Sequence, residues 1–449
     1  VKDAVTASVE RLYEMFPYPR YPLLARPRWQ DGYLTSSLFA ARLRARAAPL
    51  AGGSAGRREA VSILLGGSGE ILPYVVRKWE PWGNHVLSLD LSRTSLRRAR
   101  LRLGPLAPGS SFVHEDLATW LAHRAAGGAA PFDHVDAFGV LHHMPDPGEA
   151  LRLVAANLAP GGTMRLMVYN SPARAWIHEV QALLRMLRVS PFAAEDRAFA
   201  RRFVNALGRT LPALGERLAQ MGGEMLRNEA RFVDAFLHTR EARLSFERWR
   251  DLVAGAGLEA YGLFDRYAEL DDLANPLWHM PDWSALAARA ADGRFENNLE
   301  LFLAKPGEAP PSLAARSHPR RLFLKAPPRT WFEYRETRSV DLATRWRIWH
   351  AFLRGARIDR LVDRLTRPAL QRLARLGAIV PMQLGSAPQR ALAAATLCSS
   401  MDPPARRPAT EREKNVALIA LEAALKERGL DCDERARRVG SARLTRLAR

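Results

Sequence analysis

Between residues 61 and 169 the chain alternates short apolar runs with stretches of helical period, and few folds accept that order. Val61–Leu65, Val86–Leu91, Phe112–Val113, Val135–Val140 and Met164–Tyr169 are the strand candidates. Ile71–Trp79, Thr94–Leu103, Leu117–Ala125 and Pro147–Leu158 are the helix candidates between them. The pattern predicts an α/β fold, a parallel sheet with helices on both faces, because each crossover must return over one face of the sheet. From Ala173 to Met225 the period is helical throughout, which places an insertion over 173–245 beside the sheet rather than in it. Ser245–Ala256 reads as a further helix closed by Gly257, followed by the strands Leu258–Phe264 and Asn298–Ala304.

The flanks differ in character. Residues 1–50 begin with a helix from Asp3 to Met15 and continue into Phe16-Pro17-Tyr18-Pro19-Arg20-Tyr21-Pro22, where the three prolines forbid helix and strand alike. The small-residue link Ala51–Gly56 opens a unit over 51–305, and Pro306 with Pro310-Pro311 marks the linker to a third unit over 306–449. There Trp346, Trp349 and Phe352 recur as one buried helix face, and Ile358–Leu365 and Ala369–Leu376 run into Gly377-Ala378-Ile379-Val380-Pro381. Small helices ending in an apolar strand are compatible with a winged-helix-like module. Residues 411–449 suggest one or two charged surface helices.

Charge and cysteine content narrow the function classes. The net charge is +20, yet 61 of the 67 basic residues are arginine, a bias that can reflect genome composition. From residue 311 onward there are 29 Arg or Lys against 13 Asp or Glu, so +16 of the excess sits in the C-terminal third. Cys398 and Cys432 stand alone and far apart, which excludes a disulfide scaffold and a cysteine-based metal site. No run approaches the roughly 18 apolar residues of a membrane span and neither end reads as a secretory signal, so a cytoplasmic protein is expected.

The segment Val61-Ser-Ile-Leu-Leu-Gly66-Gly67-Ser68-Gly69-Glu70 carries the sharpest chemical signal. A buried strand running through small residues into a helix lets the backbone pass close to a ligand at the helix N-terminus. Asp90, some twenty residues on at the end of the next strand, is placed to accept both hydroxyl hydrogens of a ribose. Glu115-Asp116-Leu117 closes the third strand with an acid suited to an adenine amino group, and the fourth strand ends in Phe138-Gly139-Val140-Leu141-His142-His143.

The order of glycine turn, ribose acid, adenine acid and an apolar strand ending in Leu-His-His resembles the class I S-adenosylmethionine-dependent methyltransferases. Asn157-Leu158-Ala159-Pro160-Gly161-Gly162 is similar to their Leu-x-Pro-Gly-Gly turn. The resemblance implies a Rossmann-like seven-stranded sheet over 51–305, its last strand antiparallel between its neighbours. It also implies S-adenosyl-L-methionine as cofactor, held by Gly66, Gly67, Ser68, Gly69, Asp90, Leu91, Asp116, Leu117, Gly139 and Val140. One departure stands out: the family's usual acid two residues before the first matching glycine is Leu65 here, and its third glycine is Ile71. Weaker cofactor affinity, or closure by another group, is implied. The lead-in Tyr13-Glu-Met-Phe-Pro17-Tyr18-Pro19-Arg20 looks like that of a bacterial subset of these enzymes, some acting on protein lysines. Tyr18 or Arg20 is then the candidate for the methionine carboxylate, the alternative being a strap packed on the sheet edge.

Methyl transfer asks for an in-line approach in a dry site, and an amine or hydroxyl acceptor must also lose a proton. His143 and His142, at the end of the fourth strand, are the candidate bases. Tyr169, Asn170 and Arg174 follow the fifth strand on the acceptor side. Asp234 and His238 share a helical face, as a pocket wall or an ordinary helix pair, with no further ligand spaced to make them a metal site. The apolar positions Trp176, Leu183, Leu184, Met186 and Leu187 suggest a lid over an organic substrate or the face of a homodimer. In the C-terminal third, Arg360, Arg364, Arg367, Arg372 and Arg375 could meet nucleic-acid phosphates, but Asp359 and Asp363 interleave with them as on a solvated helix. The leading expectation is therefore methylation of a small molecule at nitrogen or oxygen. A protein or peptide methyltransferase comes second, and a non-catalytic nucleic-acid or partner-binding protein of the same fold third.

Overall fold

The computed structural model describes residues 3–23, 60–80, 83–104, 108–220, 224–264, 282–291, 298–308 and 407–448, with isolated residues between them. Five strands alternate with helices as the apolar runs require. They are β1 (Ser62–Gly66), α2 (Leu72–Trp79), β2 (His85–Asp90), α3 (Arg93–Leu103), β3 (Ser110–His114), α4 (Leu117–Ala126), β4 (Phe132–Phe138), α5 (Pro147–Ala156) and β5 (Leu158–Val168), preceded by α1 (Ala4–Met15). Side-chain caps set where the helices begin: Asp3, Ser92, Asp116 and Asp146 each accept backbone N–H groups of the first turn. After the insertion come α11 (Phe246–Gly255), β6 (Glu259–Phe264), α12 (Trp283–Ala291) and β7 (Leu299–Ala304).

The seven strands form one sheet in the order β3-β2-β1-β4-β5-β7-β6. All neighbours are parallel except β7, which runs antiparallel to both β5 and β6. The chain leaves β1 toward β2 in one direction and takes up β4 in the other, so the carboxyl ends of β1 and β4 flank the switch point where such sheets bind ligands. One face is covered by α4, α5, α11 and α12 around Leu121, Leu151, Trp249 and Leu286. The other carries a smaller cluster in which Leu65 packs with Ile63, Val86 and the α2 residues Leu72 and Val76. There Arg165 lies buried between Asp136 and Glu300, at 3.0 and 2.7 Å. Leu65 is thus a core residue; the side chain that replaces the expected acid packs under α2.

The insertion supplies α6 (Ala175–Met186), α7 (Ala194–Thr210), α8 (Pro212–Gln220), α9 (Glu224–Arg227) and α10 (Glu229–Phe236). The last two helices of the chain, α13 (Glu411–Glu427) and α14 (Glu434–Leu447), pack on them. Leu421, Leu425, Leu444 and Leu447 share one core with Trp176, Leu183, Leu184 and Leu187, and Met186 packs against it. The stripe expected to act as a lid or as the face of a second copy is therefore occupied within the chain. The boundary expected at 306 likewise separates in sequence what shares a core here. Arg443 and Arg446 pair with Glu179, and Arg428 pairs with Asp196, so part of the C-terminal basic excess meets acids of the insertion. The winged-helix-like stretch and the five interleaved arginines lie outside the described residues, apart from an antiparallel pairing of Phe323–Leu324 with Ile379–Val380. Among the described residues no helix is long and apolar enough to cross a membrane.

Candidate active site

β1 turns into α2 through Gly67-Ser68-Gly69, and glycine is required at both ends of the turn. Gly67 and Gly69 have φ of 60° and 56°. A Cβ on Gly67 would stand 2.1 Å from Val140 Cγ2, because the turn after β4 presses directly against it. Ser68 is buried beside them, its Oγ lacking a hydrogen-bond partner among the described residues. At the end of β2, the Asp90 carboxylate accepts the N–H of Gly69 at 2.7 Å and that of Ser92 at 2.8 Å. Burial pushes its pKa up, against those two hydrogen bonds. Each oxygen keeps a second lone pair for a ligand hydroxyl. Asp116 caps α4 through Oδ1, which accepts the N–H and hydroxyl of Thr119, both at 2.9 Å.

These groups line one end of a cavity of about 480 Å³, with Leu91, Leu117, Gly139 and Val140. Its roof is α1, whose Thr6, Val9 and Tyr13 face inward. Glu14 fastens that helix to α3, accepting from Ser92 Oγ at 2.7 Å and Thr94 Oγ1 at 3.0 Å. The proline-rich segment continues the roof with Tyr18, Pro19 and Tyr21. It is pinned by Glu70, which is fully buried, accepts the Tyr21 N–H at 2.7 Å and pairs with Arg98 and Arg102. The Arg102 guanidinium in turn donates to the carbonyls of Pro22 and Leu23.

The other end of the cavity is polar and aromatic. His143 ends a 3-10 turn after β4, and its Nδ1 lies 2.7 Å from the Arg240 carbonyl. Nδ1 therefore carries the proton, and Nε2 keeps its lone pair. His238 is the converse: Nδ1 accepts the Arg240 N–H at 3.0 Å, so Nε2 carries the proton and donates to Tyr13 Oη at 3.2 Å. The two imidazoles stack with centroids 3.8 Å apart. Asp234, on α10, accepts from Tyr13 Oη at 3.0 Å and from Tyr169 Oη at 3.4 Å. Arg174 covers the Tyr169 ring at 3.6 Å and makes two 3.0 Å hydrogen bonds to Glu241, which also meets His178 Nε2 at 2.7 Å.

Burial governs the protonation states here. It lowers His143 to about 4 against the Arg240 hydrogen bond, and holds His238 well below the usual imidazole range. It raises Asp234 to about 6, opposed by Arg174 and by the Tyr13 hydroxyl. Burial also works to raise Glu241, but hydrogen bonds from His178 and Arg174 outweigh it and keep the carboxylate ionised.

Of the residues expected from sequence, Gly67, Ser68, Gly69, Asp90, Leu91, Asp116, Leu117, Gly139, Val140 and Tyr18 line the cavity, as do His143, Tyr169, Arg174 and Asp234. Gly66 sits just behind, where a Cβ would stand 3.0 Å from Leu117. His142 is fully buried off the cavity wall; its ring lies 3.7 Å from that of Tyr169, and neither nitrogen has a hydrogen-bond partner among the described residues. Asn170 is also off the wall, donating to the Phe295 carbonyl at 2.8 Å. Arg20 is exposed and does not line the cavity. The cations on the wall are instead Arg174 and Arg231. Sequence reasoning did not find Tyr13, Glu70, Arg231 or Glu241. The spacing of Thr6, Val9 and Tyr13 marks a buried helix face, but not what it faces.

His143, Asp234 and His238 bring ligand-type atoms within 4.8 Å of one another, as a metal site would. The tautomers weigh against one. With Nδ1 of His238 committed to a backbone N–H, its Nε2 carries a proton and has no lone pair for a cation. The cluster is a hydrogen-bonded set of neutral imidazoles, phenols and one carboxylate.

The glycine cradle, the unpartnered Ser68 hydroxyl and the acids at the ends of β2 and β3 fit the nucleoside of S-adenosylmethionine. A family model described as a methyltransferase domain matches residues 64–164. An uncharacterized protein of Synechococcus sp. is 29% identical over 59% of this chain and 61% of its own length. The ubiquinone biosynthesis O-methyltransferase of Ralstonia nicotianae is 32% identical over 26% of this chain and 47% of its own. The chain thus spans less than two thirds of either relative. Among solved structures, PKMT2 from Rickettsia typhi aligns with 80% of this chain and 71% of that one, at 12% identity and a TM-score of 0.44. Residues 64–164 thus match a methyltransferase domain, and the sheet order and switch-point cavity around them are similar to those of the class I S-adenosylmethionine-dependent methyltransferases.

Proposed function

We propose that the chain transfers a methyl group from S-adenosylmethionine to an oxygen or nitrogen of a small organic molecule. One observation carries the reading: a single roofed cavity joins the glycine-turn end to a wall that offers two lone-pair groups, His143 Nε2 and the Asp234 carboxylate. Bound S-adenosylmethionine supplies an electrophilic methyl group. The chain's part is to hold its nucleoside through the 67–69 backbone, Asp90 and Asp116, and to keep water out with α1 and the proline-rich strap. A cavity of about 480 Å³ that must also take the cofactor leaves room for a modest acceptor group. The O-methyltransferase name of the ubiquinone-biosynthesis relatives supports oxygen as the receiving atom.

The test is methyl-labelled S-adenosylmethionine offered with phenols, amines, hydroxy acids and lysine-containing peptides, beside binding of S-adenosylhomocysteine with NAD as control. Label on a phenol or amine, with selective binding of S-adenosylhomocysteine, is the expected result. Label on peptides alone would replace the small-molecule reading with the protein one. Tight, salt-dependent nucleic-acid binding without turnover would replace both.

A further inference from the structure

We propose that Asp234 receives the acceptor's proton during methyl transfer and that Tyr13, carried by the N-terminal helix, is the positioning residue that holds it; this rests on the methyltransferase reading above. Asp234 reaches the cavity from the insertion, a part of the chain outside the glycine-turn motifs, and it is buried. Its two oxygens are engaged unequally. Oδ1 accepts from Tyr13 at 3.0 Å, whereas among the described residues Oδ2 has only the long 3.4 Å contact with Tyr169. A hydroxyl or amine entering beside Tyr169 can displace that weak contact and donate to Oδ2 at normal length.

The surroundings suit a base rather than a structural ion pair. Tyr13 faces Asp234 from α1, Tyr18 from the strap and Tyr169 from the end of β5, while His143 and His238 complete the group as neutral rings. Arg174 acts on it from the start of α6 and Glu241 opposes that effect, and Arg174 is itself held by Glu241, so Asp234 makes no ion pair among the described residues. A base works best when its pKa lies near the working pH. Asp234, at about 6, meets that condition better than His143, at about 4.

The step balances as follows. The acceptor's lone pair forms the bond to the methyl carbon, the carbon–sulfur bond breaks with its electron pair left on sulfur, and the X–H proton passes to Asp234 Oδ2. Tyr13 links this event to closure, because its hydroxyl donates to the base and accepts from His238, both attached to the insertion, while its helix forms the roof.

Methyl transfer under single turnover should be followed from pH 5 to 9 for the parent protein and for Asp234→Asn, Tyr13→Phe and His143→Gln. The parent rate should fall as the pH drops through about 6, where Asp234 takes up its proton. Asp234→Asn should lose about a hundredfold or more and lose that acid limb, with S-adenosylhomocysteine affinity changed less than about threefold. Tyr13→Phe removes a donor that favours the ionised form and should move the limb to higher pH. His143→Gln should lower the rate and leave the limb in place. Thermal midpoints separate a base from a brace. The folded pKa of Asp234 lies above its unfolded value, so the ionised group costs stability above about pH 6 and none below the unfolded value. Asp234→Asn should therefore raise the midpoint at pH 8, where a purely structural carboxylate would give a drop. An Asp234→Asn rate within about threefold of the parent, or an acid limb that vanishes with His143→Gln instead, would overturn the assignment alone. A parent protein that neither binds S-adenosylhomocysteine nor turns over would overturn the methyltransferase reading and this assignment with it.

Discussion

The two ends of the cavity are built by opposite means. The nucleoside end is made of backbone: two glycines at positive φ, a turn pressed on Val140, and carboxylates held by N–H groups a few residues away in sequence or in the turn after the adjoining strand. The acceptor end is made of side chains brought from far apart, Tyr13 from α1, His143 from the turn after β4, Tyr169 from just past β5 and Asp234 from the insertion, which also supplies the supporting His238 and Glu241. Backbone sites are intolerant of added volume, because close packing leaves nothing to move. Side-chain sites built on buried charge are intolerant of lost partners, because the desolvated ion left behind has no water to turn to. The two halves should therefore break in different ways.

The largest effect is expected at Gly67. A Cβ there would lie 2.1 Å from Val140 Cγ2 on a residue whose φ is 60°, so clash and left-handed strain add. Gly67→Ala should reduce S-adenosylhomocysteine affinity by at least about a hundredfold, roughly 3 kcal/mol. Isothermal titration reads it directly. Adding Val140→Ala removes the nearest atoms but not the strain, so the double variant should recover part of the affinity and no more. Full affinity in Gly67→Ala would mean the turn is not the cradle described.

Glu241 tests the other kind of fragility. Its side chain is 4% exposed and holds Arg174, itself 13% exposed, together with His178. Glu241→Gln leaves a buried guanidinium short of a counter-charge and should destabilise the fold by roughly 3–5 kcal/mol at pH 7. The effect on nucleoside binding should be smaller than that of Gly67→Ala. The sign with pH is fixed by a folded pKa held below the unfolded one: the stabilisation is present above about 4.5 and is lost as the pH falls further. Denaturant midpoints of parent and variant should converge in acid. A gap that stays constant down to pH 3 would show that the carboxylate's charge is not what holds Arg174.

That contrast also explains what the sequence made legible. The sheet, its strand order and the nucleoside wall follow from features local in the chain: apolar runs, a glycine turn, an acid at each strand end. The acceptor wall depends on contacts between residues such as Tyr13 and Asp234, which are 221 positions apart, and no periodicity announces such a pair. His142 and Asn170 look functional because they adjoin strand ends. Yet a 3-10 turn points His143 into the cavity and turns its neighbour His142 into the core, while Asn170 is used to close the turn after β5. Leu65 left two outcomes open, weaker cofactor affinity or closure by another group. The cavity is roofed by α1 and by a strap anchored on Glu70, in keeping with the second, but the anchor was not legible, because Arg98 and Arg102 meet Glu70 only in the fold.

Arg20 gives the smallest effect and the cleanest separation of motif from geometry. In the lead-in it is the one cation, and the sequence pairs it with the methionine carboxylate. In the fold the strap is tied down by Glu70 through the Tyr21 N–H, and the strap residues lining the cavity are Tyr18, Pro19 and Tyr21, while Arg20 is exposed and off the wall. An exposed guanidinium with water to solvate it contributes little to a roofed site. Arg20→Ala should therefore leave S-adenosylhomocysteine affinity within about twofold, well under 1 kcal/mol. Arg231 lies on the cavity wall near Tyr18, and Arg231→Ala should weaken S-adenosylhomocysteine more than its analogue without the carboxylate, 5′-methylthioadenosine. If Arg20→Ala instead gave the larger and carboxylate-specific loss, the strap would have to turn over on binding, and the division between a backbone-built nucleoside end and a side-chain-built acceptor end would need a moving part between them.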